Sequence, residues 1–224
     1  MTDRKRIAAV TAVLAVACIC MGLVDAVIQP GYAAKSLIKI AVFLGLPGLY
    51  CLRFRDRTPL TFLIPRKSSL VPAISVGLAV YAAVLGAYLI FRNVFDFSAL
   101  TGTLTAATGV EKRNFLWVAL YISFVNSFLE EWFFRGFGFL QLKRIAGRKT
   151  AYCISAGLFA LYHIAMMIGW FQAAVTVLAL LGLFAGGLIF NFFDENQDNI
   201  FLSWLIHMFA NFATNTIGFL LFQG

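Results

Sequence analysis

Charge is scarce in this chain. Only 12% of its 224 residues are Asp, Glu, Lys or Arg, about half the share of a soluble domain. With 61% hydrophobic residues and a mean hydropathy of +0.86, that shortage excludes an ordinary globular enzyme and describes a polytopic membrane protein. Cysteine is sparse too. Cys18, Cys20, Cys51 and Cys153 lie in or at the ends of apolar runs and lack metal-site spacing, so they read as small apolar helix residues rather than a disulfide framework. The sequence also lacks internal repeats, low-complexity tracts and a phosphate-binding loop. Histidine is rarest, at two residues.

What the chain has is long apolar runs. A helix needs roughly 20 apolar residues to cross a bilayer. Candidate spans fall at 7–27, 36–52, 69–92, 114–139, 150–169, 173–193 and 200–222. The last is either one helix or two, broken near Asn215–Gly218, so the expected fold is an all-α bundle of seven to eight transmembrane helices. Gly45, Pro47 and Gly48 mark the second span for a kink. The first run is longer than the ~7–15 residues of a signal-peptide core and reads as an uncleaved anchor.

The net charge of +8 invites a nucleic-acid reading, but its distribution opposes one. Arg4, Lys5 and Arg6 precede the first span. Arg53, Arg55, Arg57, Arg66 and Lys67 separate spans two and three, and Lys143, Arg144, Arg148 and Lys149 separate spans four and five. The opposite loops hold Lys112 and Arg113, with Lys35, Lys39 and Arg92 read as helix-end residues. This is the positive-inside pattern of a multi-pass protein of the cell (inner or plasma) membrane, with a cytoplasmic N-terminus. The acidic "DENQD" loop (194–198) falls on the cytoplasmic side, where acidic residues carry little weight.

Residues 1–110 read as a three-span scaffold, with a polar linker at 97–109 and "LTFLIP" (60–65) suited to the membrane surface. Asp25 is its one unusual residue, at a helix end or in a buried role. Residues 111–224 differ, because their intramembrane polar residues recur at helical spacing. Ser123, Asn126, Ser127, Glu130 and Glu131 follow i, i+3, i+4, i+7, i+8 and share one face. Arg135 stands four residues after Glu131, so that pair can neutralise itself locally and reads as structural support. Glu130 is left without a partner on its own helix. His163 lies in the centre of span five. His207 and Asn211 are i, i+4 in the last span, with Ser203 and Asn215 one turn to either side.

Depth brings these groups together. At 1.5 Å per residue, Glu130 lies roughly 15 Å from its span end, His163 roughly 20 Å, His207 roughly 10 Å and Asn211 nearer 16 Å. Taken singly, an intramembrane His or Asn is more often interhelical glue. An ionisable residue in a span is functional by default, and Glu, two His and Asn at one depth are harder to explain by packing. A buried carboxyl beside an imidazole can hold and activate water. A second imidazole and an amide can stabilise a developing oxyanion. Glu130, His163 and His207 are also a possible zinc ligand set, although no HExxH pair is present.

"EEWFFR", "FALYH" and "HMFAN" fit EExxxR, FxxxH and HxxxN in order and on separate spans. In this the chain resembles the CAAX prenyl protease and bacteriocin-processing (CPBP, Abi) family over about residues 115–215. The resemblance implies an intramembrane endopeptidase in which Glu130 and His163 activate water and His207 and Asn211 stabilise the oxyanion. It implies no catalytic metal, with zinc as the alternative. The substrate would be a membrane-associated peptide or protein cut near a C-terminal or leader segment, the bilayer a partner, and nucleic acid not. Two other classes compete: a non-enzymatic membrane protein of the Abi type serving immunity or assembly, and a proton or ion carrier. A carrier more often shows repeated halves or broken helices.

Overall fold

The computed structural model describes residues 3–66, 70–94, 101–102, 105–106, 109–168 and 173–223. Most of the expected polar linker, 97–109, lies outside them. The described residues form helices and turns. α1 comprises Asp3–Leu23 and a wider last turn, Val24–Ile28. α2 is Tyr32–Phe54, α3 the short Thr58–Thr61 and α4 Val71–Phe91. α5 runs over 115–146, α6 is Arg148–Met167, α7 Ala173–Gln197 and α8 Phe201–Gln223.

Among the described residues, six helices are long and apolar enough to cross a membrane: α1, α2, α4, α6, α7 and α8. The chain is a multi-pass membrane protein. Large apolar side chains such as Leu37, Leu52, Ile90 and Trp117 point outward, as lipid contact requires. α2 continues unbroken through Pro47 and is longer than the 36–52 run. α8 is one helix, not two. The "DENQD" stretch is not a free loop: α7 continues to Gln197, and Asp194 is fully buried.

The expected fourth span is not among the six. It is α5, whose residues 129–142 are all buried. Two of its stretches, Tyr121–Asn126 and Glu131–Leu140, are wound wider, with i→i+5 hydrogen bonds such as Ser127 N–H to Ile122 O and Gln141 N–H to Gly136 O. Such widened turns occur frequently at functional sites. An aromatic core surrounds α5: Phe43 stacks on Phe133 at 4.1 Å, and Phe134 meets Phe159 and Tyr162 edge-on or tilted at 5.4 and 5.6 Å. The core draws on both halves of the chain, since Leu14, Met21 and Phe43 belong to the same cluster as Phe159 and Ile206.

The helix ends are tied by polar groups. At one end, Asp56 accepts from Thr58 N (3.1 Å) and Gln141 Nε2 (2.8 Å), and lies 3.7 Å from Arg6. At the same end Glu195 pairs with Arg148 at 2.8 Å and accepts from Tyr152. Asp25 pairs with Lys35 at 2.5 Å across the α1–α2 turn at the other end. Gly147, with φ +87°, makes the α5–α6 turn in a conformation that L side chains rarely adopt.

Candidate active site

Glu130 and Glu131 sit midway along the enclosed α5 and are 3% and 0% exposed. Adjacent residues are about 100° apart around a helix, so the two carboxylates meet different neighbours. Glu131 Oε1 lies 3.3 Å from Arg135 Nη1, the i, i+4 pair read from the sequence. The same oxygen accepts from His207 Nδ1 at 2.7 Å. Glu131 therefore supports the helix and also orients a site imidazole, which the spacing alone did not reveal.

Arg135 is fully buried, its guanidinium 4.0 Å from the Phe159 ring centroid and 4.8 Å from that of Phe190. Cation–π contact in a desolvated setting contributes up to about 2 kcal/mol. None of its nitrogens has a hydrogen-bond acceptor among the described residues. α7 approaches closely here because position 187 is glycine: a Cβ there would lie 3.0 Å from Ala156 and 3.3 Å from Arg135 Nη2. Asp194 faces this region and is held by Ser203 Oγ at 2.7 Å and Ser203 N at 3.2 Å.

Glu130 looks the other way. Its Oε1 accepts from Lys39 Nζ, and from Asn126 Nδ2 at 3.2 Å. Its Oε2 stands 3.6 Å from His207 Nε2, too far for a hydrogen bond and the separation at which a bridging water is to be sought. Lys39 is not a helix-end residue. It is 5% exposed, two turns into α2, because that helix begins at Tyr32 rather than 36. Sequence reasoning missed it, although a lysine inside an apolar run was a signal available to be read.

The two histidines are fixed by their first nitrogens. His163 Nδ1 lies 2.7 Å from Phe159 O; a carbonyl only accepts, so Nδ1 carries a proton, and in the neutral ring Nε2 keeps its lone pair. His207 Nδ1 faces Glu131, and its ring stacks on Phe190 at 5.4 Å. Asn211 Nδ2 donates to Ile122 O at 3.1 Å, and Asn215 Nδ2 to Ala119 O and Ser123 Oγ. Both amides dock α8 onto the widened stretch of α5. Asn126 joins the Glu130 cluster, whereas Ser127 Oγ bonds Ser123 O and Trp204. The polar face of α5 is therefore shared between α2 and α8. Among the described residues, no three His, Cys, Asp or Glu side chains are grouped to hold a metal.

A family model described as Rce1-like, type II CAAX prenyl endopeptidase, matches residues 112–213. Over that segment the chain is similar to the Rce1-like family. The resemblance carried by the three motifs and the family match cover the same helices. No curated protein and no solved structure matches the chain significantly. At family level the match supports a protease, an intramembrane endopeptidase of the CAAX type, whose substrate is a membrane-associated peptide. The Rce1-like segment contains Glu130, Glu131, Arg135, His163, His207 and Asn211. Lys39 lies outside it.

An apolar cavity of about 370 Å³ lies between α2, α3 and α5, lined by Leu44, Cys51, Leu52, Leu60 and Trp132 among others. Trp132 is about 200° around α5 from Glu130, and neither carboxylate nor either histidine lines the cavity. It lies apart from the polar cluster around Glu130 and Glu131.

Proposed function

We propose that the protein hydrolyses a peptide bond of a membrane-associated peptide or protein, near a C-terminal or leader segment, without a catalytic metal. Glu130 is the general base. Its Oε2 takes a proton from water while the water oxygen bonds to the scissile carbonyl carbon. The carbonyl π pair moves to oxygen. When the C–N bond breaks, the proton passes from Glu130 to the leaving amine. His163 Nε2, with its free lone pair, helps hold the water. His207, when also protonated at Nε2, and the second N–H of Asn211 stabilise the oxyanion, the kind of preorganised donation that contributes most to acyl transfer. Glu131 and Arg135 keep His207 in place.

The observation that carries this reading is the gap between Glu130 Oε2 and His207 Nε2, 3.6 Å wide and walled by buried residues. The metal-free form is supported by Lys39, whose ammonium already balances the Glu130 carboxylate charge that a zinc ion would draw on. The end bearing Arg6, Arg53, Lys143 and Arg148 faces the cytoplasm. Residues 111–224 carry the reaction and residues 1–110 serve as transmembrane scaffold, Lys39 apart.

The test uses purified protein in liposomes with an internally quenched farnesylated CAAX peptide and its unprenylated counterpart. Glu130→Gln lowers kcat at least about 100-fold while accumulating normally in membranes. Wild-type rates from Glu130→Gln would overturn the mechanism. Full activity after exhaustive chelation removes the zinc alternative, and loss restored by zinc would reinstate it.

A further inference from the structure

We propose that Lys39 is a positioning residue for this reaction: it clamps Glu130 Oε1 and leaves Oε2 as the oxygen that receives the proton from water. The proposal rests on the reading of Glu130 as general base. The two oxygens of Glu130 are treated differently. Oε1 accepts from both Lys39 Nζ and Asn126 Nδ2, while Oε2 faces His207 Nε2 across 3.6 Å. Asn126 closes a ring, since its Oδ1 accepts from Lys39 Nζ at 2.5 Å. A carboxylate gripped through one oxygen by two donors cannot rotate without losing both.

Lys39 is itself built into place. Its ammonium lies 5.2 Å from the ring centroids of Phe43 and of Tyr162, and the residue is 5% exposed. Those rings belong to the aromatic core around α5, so the cation is fixed by packing and by two acceptors. Charge balance points the same way. Glu131 has Arg135 as its ion-pair partner, and Glu130 has Lys39. An unpaired carboxylate this deep would sit as the neutral acid, and a neutral acid cannot act as base. A residue of the first helices, outside the Rce1-like segment, thus supplies the charge that the reactive carboxylate needs.

Infrared difference spectroscopy reads this without a substrate. In Lys39→Met, a protonated-carboxyl band appears that the wild type lacks and that Lys39→Met/Glu130→Gln abolishes. In the quenched-peptide assay, Lys39→Met lowers kcat about 100-fold with KM close to wild type, and Lys39→Arg regains most of the loss. If Lys39→Met does not accumulate, Lys39→Gln replaces it, keeping an N–H donor without charge and carrying the same expectations. Absence of the band, or a wild-type kcat in a folded charge-free variant, would overturn the proposal. A wild-type rate in Glu130→Gln would instead remove the general-base reading, leaving the band to report only whether Lys39 sets the charge of Glu130.

Discussion

α5 and α4 are opposites. α4 is apolar from Val71 to Phe91, yet only Ala73 and Gly77 on it are buried. α5 carries Glu130, Glu131 and Arg135, and its residues 129–142 are buried without exception. In water the apolar helix would be the core and the charged one the surface. In lipid there is no hydrophobic drive between helices, so apolar faces turn outward and polar groups seek one another inward. Burial in this protein therefore follows charge pairing, packing of aromatic rings and docking of amides onto widened turns.

The comparison breaks most directly at Arg135. Removing one partner of a buried ion pair is strongly destabilising, by about 3–5 kcal/mol. Arg135→Met keeps much of the side-chain volume between Phe159 and Phe190 but strands Glu131. Thermal unfolding in detergent should show a loss of that size. A variant with wild-type stability and no activity would instead make Arg135 part of the reaction rather than of the support.

Much of this centre is legible in the amino-acid sequence. The i, i+4 spacing of Glu131 and Arg135 is a local property, and the folded chain contains that pair at 3.3 Å. The spans of α1, α4, α6 and α7 follow from apolar runs alone. Three things are not legible there. Lys39 reaches Glu130 across 91 residues of sequence, and nothing local records such a contact; placing the start of α2 at 36 also hides its depth. The widened turns of α5 depart from the 3.6-residue period that pattern reading assumes, so a stripe from Ser123 to Glu131 that looks like one face is divided between α2 and α8. Asp194, read as part of an acidic loop, turns inward to Ser203 because α7 runs four residues further than its apolar pattern.

A polar network outside the spans gives a milder contrast with the buried centre. Burial alone would raise the Asp56 carboxyl, but hydrogen bonds from Thr58 and Gln141 and the nearby Arg6 outweigh it and hold the group below the usual carboxylate range. A carboxyl lowered in the folded state stabilises fully above its unfolded value of about 3.9 and loses that contribution as pH falls through the lower folded value. Asp56→Asn should therefore be less stable than wild type at neutral pH and should flatten the acid-side fall in stability. An unchanged acid slope would mean that the tie between α1, α3 and the end of α5 is set by packing and not by charge.

The smallest effect belongs to the outward face of α4, and it sharpens the contrast because its neighbour behaves differently. Leu78 is 54% exposed, so lipid replaces whatever its side chain touches. Leu78→Ala should change stability by no more than about 0.5 kcal/mol. One residue earlier, a Cβ on Gly77 would run into the Phe209 ring of α8, and overpacking of that kind costs about 1–3 kcal/mol. Gly77→Ala should then destabilise more than Leu78→Ala, although it adds one methyl where the other removes three carbons. Equal effects would mean that α4 slides on α8 without a fixed seat, and that the apolar periphery is held by lipid alone. A larger effect at Gly77 ties the outermost helix to α8, and through Asn211, Asn215 and His207 on that helix to the two carboxylates at the centre.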